Sequence, residues 1–215
     1  HTELKTVRLD AESVVSIYAD LTATKEVAQA DLTQAKQITQ NLTTCFVGTS
    51  KKARFDVDGN IARSWLLQPN ISGKSNCDVV KPWVNSSDLM KRPSDTWIID
   101  FGVGISEEEA ELYELPFKYV LEHVKPQKMS IRSKSEKRFW WLHARTAPNL
   151  REALSAIPRY MVTGLVAKHR IFVWKKTTVL ASHATAVVAR ADDTTFGILQ
   201  SRLHELWALG LCTSL

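Results

Sequence analysis

The chain has 215 residues, of which 44% are hydrophobic and 24% are charged. Its composition is therefore that of a soluble globular protein, and its length fits one large domain or two small ones. It has no run of about 18 apolar residues, so we expect no membrane span. Its three cysteines lack zinc-ligand or disulfide spacing, so we expect no metal site and a cytoplasmic location. Its net charge of +5 indicates an acidic partner.

The first half of the chain alternates strand patterns with helix and turn signals. In chain order it predicts a strand and turn (3–18), a short helix or linker (31–38), a buried strand (44–50), a helix after the turn signal Asp58-Gly59-Asn60 (61–66), a loop (68–76), an edge strand (78–89), a turn (90–94) and a compact apolar strand (96–102). Pro82 restricts residues 78–89 to a sheet edge, because proline cannot donate the hydrogen bond that a central strand needs.

The second half begins with helix signals and continues with strand signals. Ser106 and Glu109 have the spacing of a capping box, and we expect Pro116 to divide the helix that they start. The elements after it are a helix in the second half of 125–143, a helix capped by Asn149 (149–157), four strands (158–165, 168–174, 176–182, 184–190) and an amphipathic helix that Gly210 ends (191–211). This mixed order predicts an α+β fold.

The charge of the chain is unevenly distributed. Residues 125–176 hold 13 of its 28 Lys and Arg residues and two of its 23 Asp and Glu residues, which leaves 15 basic and 21 acidic residues elsewhere. Aromatic residues lie among these charges: Phe139, Trp140, Trp141, Tyr160, Phe172 and Trp174. Basic side chains neutralise phosphates and aromatic rings pack on bases, so the segment predicts a nucleic-acid interface. The alternative is a solvated basic surface with a stripe of aromatic residues in the core.

Recognisable catalytic motifs are absent from the sequence. Asp100-Phe101-Gly102 copies the kinase metal-binding motif, but the glycine-rich and catalytic loops of kinases are missing, so we interpret it as chance. His169 has no nucleophile or orienting acid near it in sequence. The acids in residues 107–111 fit a solvated helix N-terminus. We therefore expect no catalytic residue and no metal ligand in this chain.

Eight segments resemble, in the same order, the target-recognition domain of MmeI-like fused restriction–modification DNA methyltransferases. They run from residue 31 towards the C-terminus: DLTQAK, FDVDGNIARSWLLQPN, DVVKPWVNSSDLMKRPSDTWIIDFG, SEEEAELYELPFKYVLEHVKP, RFWWLHARTAPNLREAL, PRYMVT, VAKHRIFVW and FGILQSRLHELWAL. The resemblance implies a mixed or antiparallel curved sheet with flanking helices, like that of type I specificity subunits. It also implies that residues 1–215 are one DNA target-recognition domain, a fragment of a larger methyltransferase polypeptide.

In that family, a separate domain of the same polypeptide carries out adenine-N6 methylation with S-adenosylmethionine. Its cofactor loop and its [DNS]PP[YFW] motif do not occur here, so we expect no cofactor in this chain. The implied partners are double-stranded DNA and the methyltransferase domain, and the implied context is restriction–modification or phage defence, with or without a fused endonuclease. We also keep two alternatives, a scaffold that docks the methyltransferase domain without reading bases and an RNA-binding module.

Basic side chains are the candidate DNA contacts, because Arg and Lys bind phosphates and guanine edges. They are Arg132, Lys134, Lys137, Arg138, Arg145, Arg159, Lys168, His169, Arg170, Arg190 and Arg202. If residues 168–174 form a strand, Lys168 and Arg170 share one face and meet DNA together, with Arg159 nearby. The alternative is that they pair with acids on a helix. If residues 138–143 are helical, at most one of Trp140 and Trp141 faces inward.

Overall fold

The computed structural model describes residues 7–9, 12–14, 16–17, 23–24, 42–167 and 169–211. By their internal contacts they group into two compact units. One unit comprises the described parts of His1–Leu42 and Ser201–Leu215, and the other is Thr43–Gln200. The helix or linker predicted for residues 31–38 lies outside the described residues. That residues 1–215 form a single domain stays a prediction.

Strands and helices are mixed along the described residues, with runs of strands and runs of helices. In chain order they are β1 (Val7–Leu9), β2 (Glu12–Val14), β3 (Ser16–Ile17), β4 (Ala23–Thr24), β5 (Cys45–Val47), β6 (Asp56–Asp58), α1 (Gly59–Leu66), β7 (Val80–Val84), α2 (Ser86–Met90), β8 (Thr96–Ile99), α3 (Glu107–Glu111), α4 (Glu114–His123), α5 (Lys125–Ser130), α6 (Lys134–Arg138), α7 (Pro148–Ser155), β9 (Arg159–Gly164), β10 (Val173–Lys176), β11 (Leu180–Ala181), β12 (Thr185–Val188), α8 (Asp193–Leu199) and α9 (Arg202–Leu211). The predicted α+β class is confirmed.

In the first unit, β1 pairs with β2 and β3 pairs with β4, both antiparallel. The larger unit contains two four-stranded sheets with helices packed against them. The mixed sheet has the order β11-β7-β8-β6, and the antiparallel sheet has the order β10-β9-β12-β5.

The edge position predicted for residues 78–89 is wrong, because β7 lies between β8 and β11. Pro82 is opposite Trp97 of β8, and the pairing with β11 begins only at Trp83. The missing N–H of Pro82 therefore lies just before the short parallel ladder. The core of this region packs Phe55, Ile98 and Val120 together, all fully buried.

The antiparallel sheet is buried on both faces at its central strand β9. Tyr160 and Val162 belong to a core cluster that includes Leu150 of α7, whereas Met161 belongs to one that Phe196 of α8 packs against. Neighbouring side chains of a strand point to opposite faces, so the burial of both faces explains why residues 160–162 are all apolar. β5 is a sheet edge with an exposed Val47, so the strand predicted at 44–50 is confirmed but its burial is wrong.

Helix ends follow local sequence signals in several places. Ser106 and Glu109 form the predicted capping box at the start of α3. The predicted division into two helices is confirmed, but it falls before α4, and Pro116 lies in the first turn of α4, where its missing N–H costs little. Asn149 does not cap α7, because the helix already begins at Pro148 and its N-cap is Ala147.

The prediction for the final helix is wrong in two respects, and the condition set for Trp140 and Trp141, a helix at residues 138–143, is not met. The final helix is interrupted between Leu199 and Arg202, and Gly210 lies inside α9 instead of ending it. Trp140 and Trp141 are both buried, because α6 ends at Arg138 and the following residues form a turn, which removes the one-sided geometry of a helix.

Candidate nucleic-acid interface

An ion pair holds together the two short helices at the start of the basic segment. Lys128 of α5 is fully buried, and its Nζ lies 3.1 Å from Oε2 of Glu136 in α6. The side chain of Glu136 keeps 14% of its surface exposed. The Ser133 hydroxyl accepts a hydrogen bond from the Glu136 N–H and caps α6. The turn at residues 131–133, which carries Arg132, is thus fixed at both ends.

Burial acts differently on the two partners of this ion pair. Loss of hydration lowers the pKa of Lys128 below its ordinary value and outweighs the hydrogen bond and the attraction of Glu136. Loss of hydration is the largest single effect on Glu136 and would raise its pKa, but the hydrogen bonds and positive charges of Lys128 and Lys52 together outweigh it, and that pKa is lowered. Both pKa values are lowered, because Lys128 is fully buried and loses its hydration, whereas Glu136 is partly exposed and two lysines stabilise its charged form. Glu136 therefore favours the charged form of Lys128 and partly offsets the effect of burial on its pKa.

A segment far away in sequence runs beside these helices. Lys52 Nζ lies 3.2 Å from Oε1 of Glu136, and the backbone N–H of Arg54 donates to Gln127 Oε1 at 3.2 Å. Ser50 and Arg145 exchange backbone hydrogen bonds of 3.0 and 3.1 Å. These contacts bring the cations of residues 50–54 to the basic segment.

The resulting patch of exposed cations is called here the basic surface. Its members are Lys52, Arg54, Arg132, Lys134, Arg138 and Arg145. Lys134 and Arg138 are four residues apart in α6 and so lie on one face of it. Glu136 is the only acid between residues 125 and 145 of the sequence, and its carboxylate forms an ion pair with the buried Lys128. The part of the basic surface contributed by residues 125–145 therefore has a clear excess of positive charge.

Lys52 and Arg54 are absent from the sequence-based candidates. The run Lys51-Lys52-Ala53-Arg54 is a visible basic cluster and was the available signal. Lys137 of α6, a predicted contact, is half-buried beside the basic surface.

Arg159 has extensive contacts inside the protein. Its guanidinium lies 2.8 Å from Oδ1 of Asp193, donates to the carbonyl of Ala191 at 3.1 Å and lies 4.0 Å from the ring centre of Trp174. Asp193 begins α8, so the alternative of pairing with a helix acid applies to Arg159.

Lys176 is opposite Arg159 in the antiparallel sheet. Arg190 is exposed just after β12.

The strand predicted at residues 168–174 begins only at Val173. Lys168 lies outside the described residues, and His169 and Arg170 belong to the loop between β9 and β10. Arg170 donates to the carbonyl of Gly164 at 3.0 Å, so its position is set by the loop. Arg170 therefore lies on no strand, and the face that it was expected to share with Lys168 is not tested because Lys168 lies outside the described residues.

Arg202 belongs to the smaller unit, where it pairs with Glu205 one turn along α9. The described structure thus brings together Arg132, Lys134, Arg138 and Arg145 of the predicted contacts, with Lys137 beside them. That any of the predicted side chains touches DNA stays a prediction.

Among the six aromatic residues of the segment, Phe139 is the exposed one, with 44% of its surface accessible. Trp140, Trp141, Tyr160 and Phe172 are buried, and Trp174 stacks on Phe196 at 5.1 Å. Most of the aromatic signal in the sequence therefore belongs to the core.

Asp100, the first residue of the kinase-like triplet, belongs to a largely buried cluster of polar side chains with Arg151 and His143. Both of its carboxylate oxygens contact the Arg151 guanidinium, at 2.8 and 2.9 Å, and Oδ1 accepts the Gly102 N–H. His143 packs beside it with Nε2–H donating to the Ile99 carbonyl at 2.9 Å, while Nδ1 lies 3.8 Å from Asp100. The described residues contain no group of His, Cys, Asp and Glu that could hold a metal.

His143 predicts a pH dependence of stability. Burial lowers its pKa below the ordinary value of 6.5 despite the opposing charge of Asp100. The unfolded chain then binds a proton near pH 6.5 that the folded protein does not, so stability falls as pH drops from 6.5 towards the folded pKa. We expect His143→Gln to flatten this part of the curve of thermal midpoint against pH. A variant that keeps the full wild-type decline below pH 6.5 would refute the assignment.

No helix in the described part of the chain has the length and apolar character that a bilayer crossing requires.

The chain matches no protein-family model and no curated protein sequence. Its fold is similar to part of a solved structure, that of the type IIL restriction-modification enzyme MmeI in complex with DNA. The TM-score is 0.65 at 13% sequence identity, and the match covers 95% of this chain and 26% of the other. The chain thus spans about a quarter of the length of that enzyme, and its fold is similar to that part of it.

Proposed function

From the basic surface and this fold, we propose that the chain is a sequence-specific double-stranded DNA recognition module of an adenine-N6 DNA methyltransferase or restriction–modification enzyme. The observation that carries the proposal is the basic surface, where six exposed cations lie on segments joined by direct contacts and the carboxylate of Glu136 is paired with Lys128 and Lys52. A surface with this excess of positive charge suits a polyanion.

In this function, the cations of the basic surface divide between two tasks. Most of them hold phosphates, which sets the position of the protein on the duplex and makes binding depend on salt. A few read base edges, for which the forked guanidinium groups of Arg132, Arg138 and Arg145 are suited because they can bind guanine at two atoms.

Chemistry on the DNA would belong to other parts of the polypeptide. The sequence lacks an S-adenosylmethionine loop and a [DNS]PP[YFW] motif, so no methyl-transfer step is assigned to its residues. In this proposal a methyltransferase domain of the same polypeptide binds the cofactor, and the present chain selects the site.

A scaffold function without base reading is favoured by a different surface. Leu67 and Ile71 are 86% and 95% exposed, and the loop that carries them is held by the buried side chains of Asn70 and Asn76. A rigid loop with exposed apolar side chains suits contact with another protein domain.

Gel mobility of a random-sequence duplex separates the two functions. We expect the chain to shift a duplex of about 30 base pairs at 50 mM salt and to lose affinity by on the order of a thousandfold at 200 mM, as expected for about six phosphate contacts. Single-stranded RNA of equal length should compete less well than duplex DNA. A scaffold would leave the duplex unshifted at both salt concentrations.

A further inference from the structure

Phe139 is an exposed aromatic ring at the end of α6, next to Arg138 of the basic surface. It keeps 44% of its surface accessible. The guanidinium carbon of Arg138 lies 5.2 Å from the ring centre. Covering the exposed part of this ring with a ligand is favourable, because it removes apolar area from water.

The backbone around Phe139 is held in place. Its N–H donates to the carbonyl of Ser135 at 3.0 Å, and its carbonyl accepts the N–H of Leu142 at 3.0 Å. The two residues after it, Trp140 and Trp141, are 3% and 6% exposed, so they anchor the turn in the core. The rings of Phe139 and Trp141 make a T-shaped contact, with 5.9 Å between ring centres and planes at 70°. The ring is therefore presented to solvent by a fixed turn.

Charge determines which ligand fits such a ring. Arg132, Lys134 and Arg138 are exposed within the same short stretch of chain, and the carboxylate of Glu136 is used by Lys128 and Lys52. A phosphate chain can follow these cations while a planar group packs on the ring. A nucleobase attached to a sugar–phosphate backbone combines both features.

We propose that Phe139 is a stacking site for an unpaired nucleobase of a DNA strand held by the basic surface. The inference rests on the proposed DNA binding and adds a preference for locally opened DNA. In an intact duplex both faces of each base are covered by its neighbours. A side-chain ring can therefore stack on the whole face of a base only when that base has left the duplex stack. The cations beside Phe139 hold the phosphates that flank this base.

The test compares a perfect duplex with one of the same sequence that carries a single bulged 2-aminopurine. The wild-type chain binds the bulged duplex about five- to 150-fold more tightly, the range expected for one base–aromatic stack, and quenches the 2-aminopurine fluorescence. Phe139→Leu keeps an apolar side chain but loses the preference and the quenching. Its affinity for the perfect duplex, and the salt dependence of that affinity, stay at wild-type values. Phe139→Trp restores both signals.

Ile71→Ala serves as the matched control, because Ile71 is an exposed apolar residue outside the basic surface, and it leaves the preference unchanged. Equal thermal midpoints show that each variant is folded. Equal loss of affinity for both duplexes in Phe139→Leu overturns the proposal, because the ring then packs on the backbone of paired DNA. A wild-type chain that binds the perfect duplex without preferring the bulge overturns the stacking site alone. A chain that binds neither overturns DNA binding as well.

Discussion

Replacing Arg132 and Lys134 by alanine weakens duplex binding and flattens its dependence on salt. Both side chains are exposed beside the ion pair that fixes the turn between α5 and α6. Each phosphate contact contributes about 0.9 to the slope of log affinity against log salt. Loss of two contacts therefore reduces the slope by about 1.8 and the affinity on the order of 30-fold near 0.15 M salt. Fluorescence anisotropy of a labelled duplex at several salt concentrations measures both quantities.

Lys91→Ala combined with Arg92→Ala is the control for this pair. These two residues are exposed in the turn after α2, and their loss changes the net charge by the same amount. We expect a small drop in affinity from the lower overall charge and an unchanged slope. Equal changes of slope in the two double variants would mean that binding follows net charge and that the basic surface has no special part in it.

The second large effect concerns stability. Glu136→Gln leaves Lys128 buried without a counter-charge on its own pair of helices. We expect it to lower the free energy of unfolding by about 2–3 kcal/mol, somewhat less than the 3–5 kcal/mol typical of a broken buried ion pair. The loss is smaller because Gln keeps one acceptor and Glu136 is partly exposed. Urea unfolding followed by tryptophan fluorescence gives this value.

Lys128→Met removes the other partner of the same ion pair. It removes the buried charge, fills the space with an unbranched apolar side chain and leaves Glu136 at the rim with Lys52 3.2 Å away. We expect a cost below about 1 kcal/mol. If Lys128→Met lowers the free energy of unfolding as much as Glu136→Gln does, the cost of Glu136→Gln does not come from leaving the charge of Lys128 buried without a partner.

The order of elements is largely visible in the sequence. The capping box at Ser106, the strand at residues 96–102 and the four strands of the second half all depend on neighbours a few residues apart. For the same reason the final helix was predicted without its interruption after Leu199, since its apolar spacing continues across the break. Which sheet a strand joins is not a local property, and Pro82 in the inner strand β7 shows this.

The candidate interface divides in a similar way. The excess of basic residues between positions 125 and 176 is evident in the sequence, but whether each one faces solvent is not. Lys128 looks like any other cation of the segment and is fully buried, and Arg159 packs on Trp174 and pairs with Asp193. Trp140 and Trp141 look like base-stacking candidates and belong to the core, whereas Phe139 beside them is exposed.

By itself, the sequence determined the α+β class, the local helix and strand signals and the concentration of positive charge. The tertiary structure decided which cations share a surface. Lys52 and Glu136 are 84 residues apart, and Ser50 meets Arg145 through backbone hydrogen bonds. Such contacts depend on how sheets and helices pack after they form, and the spacing of residues along the chain carries no record of them.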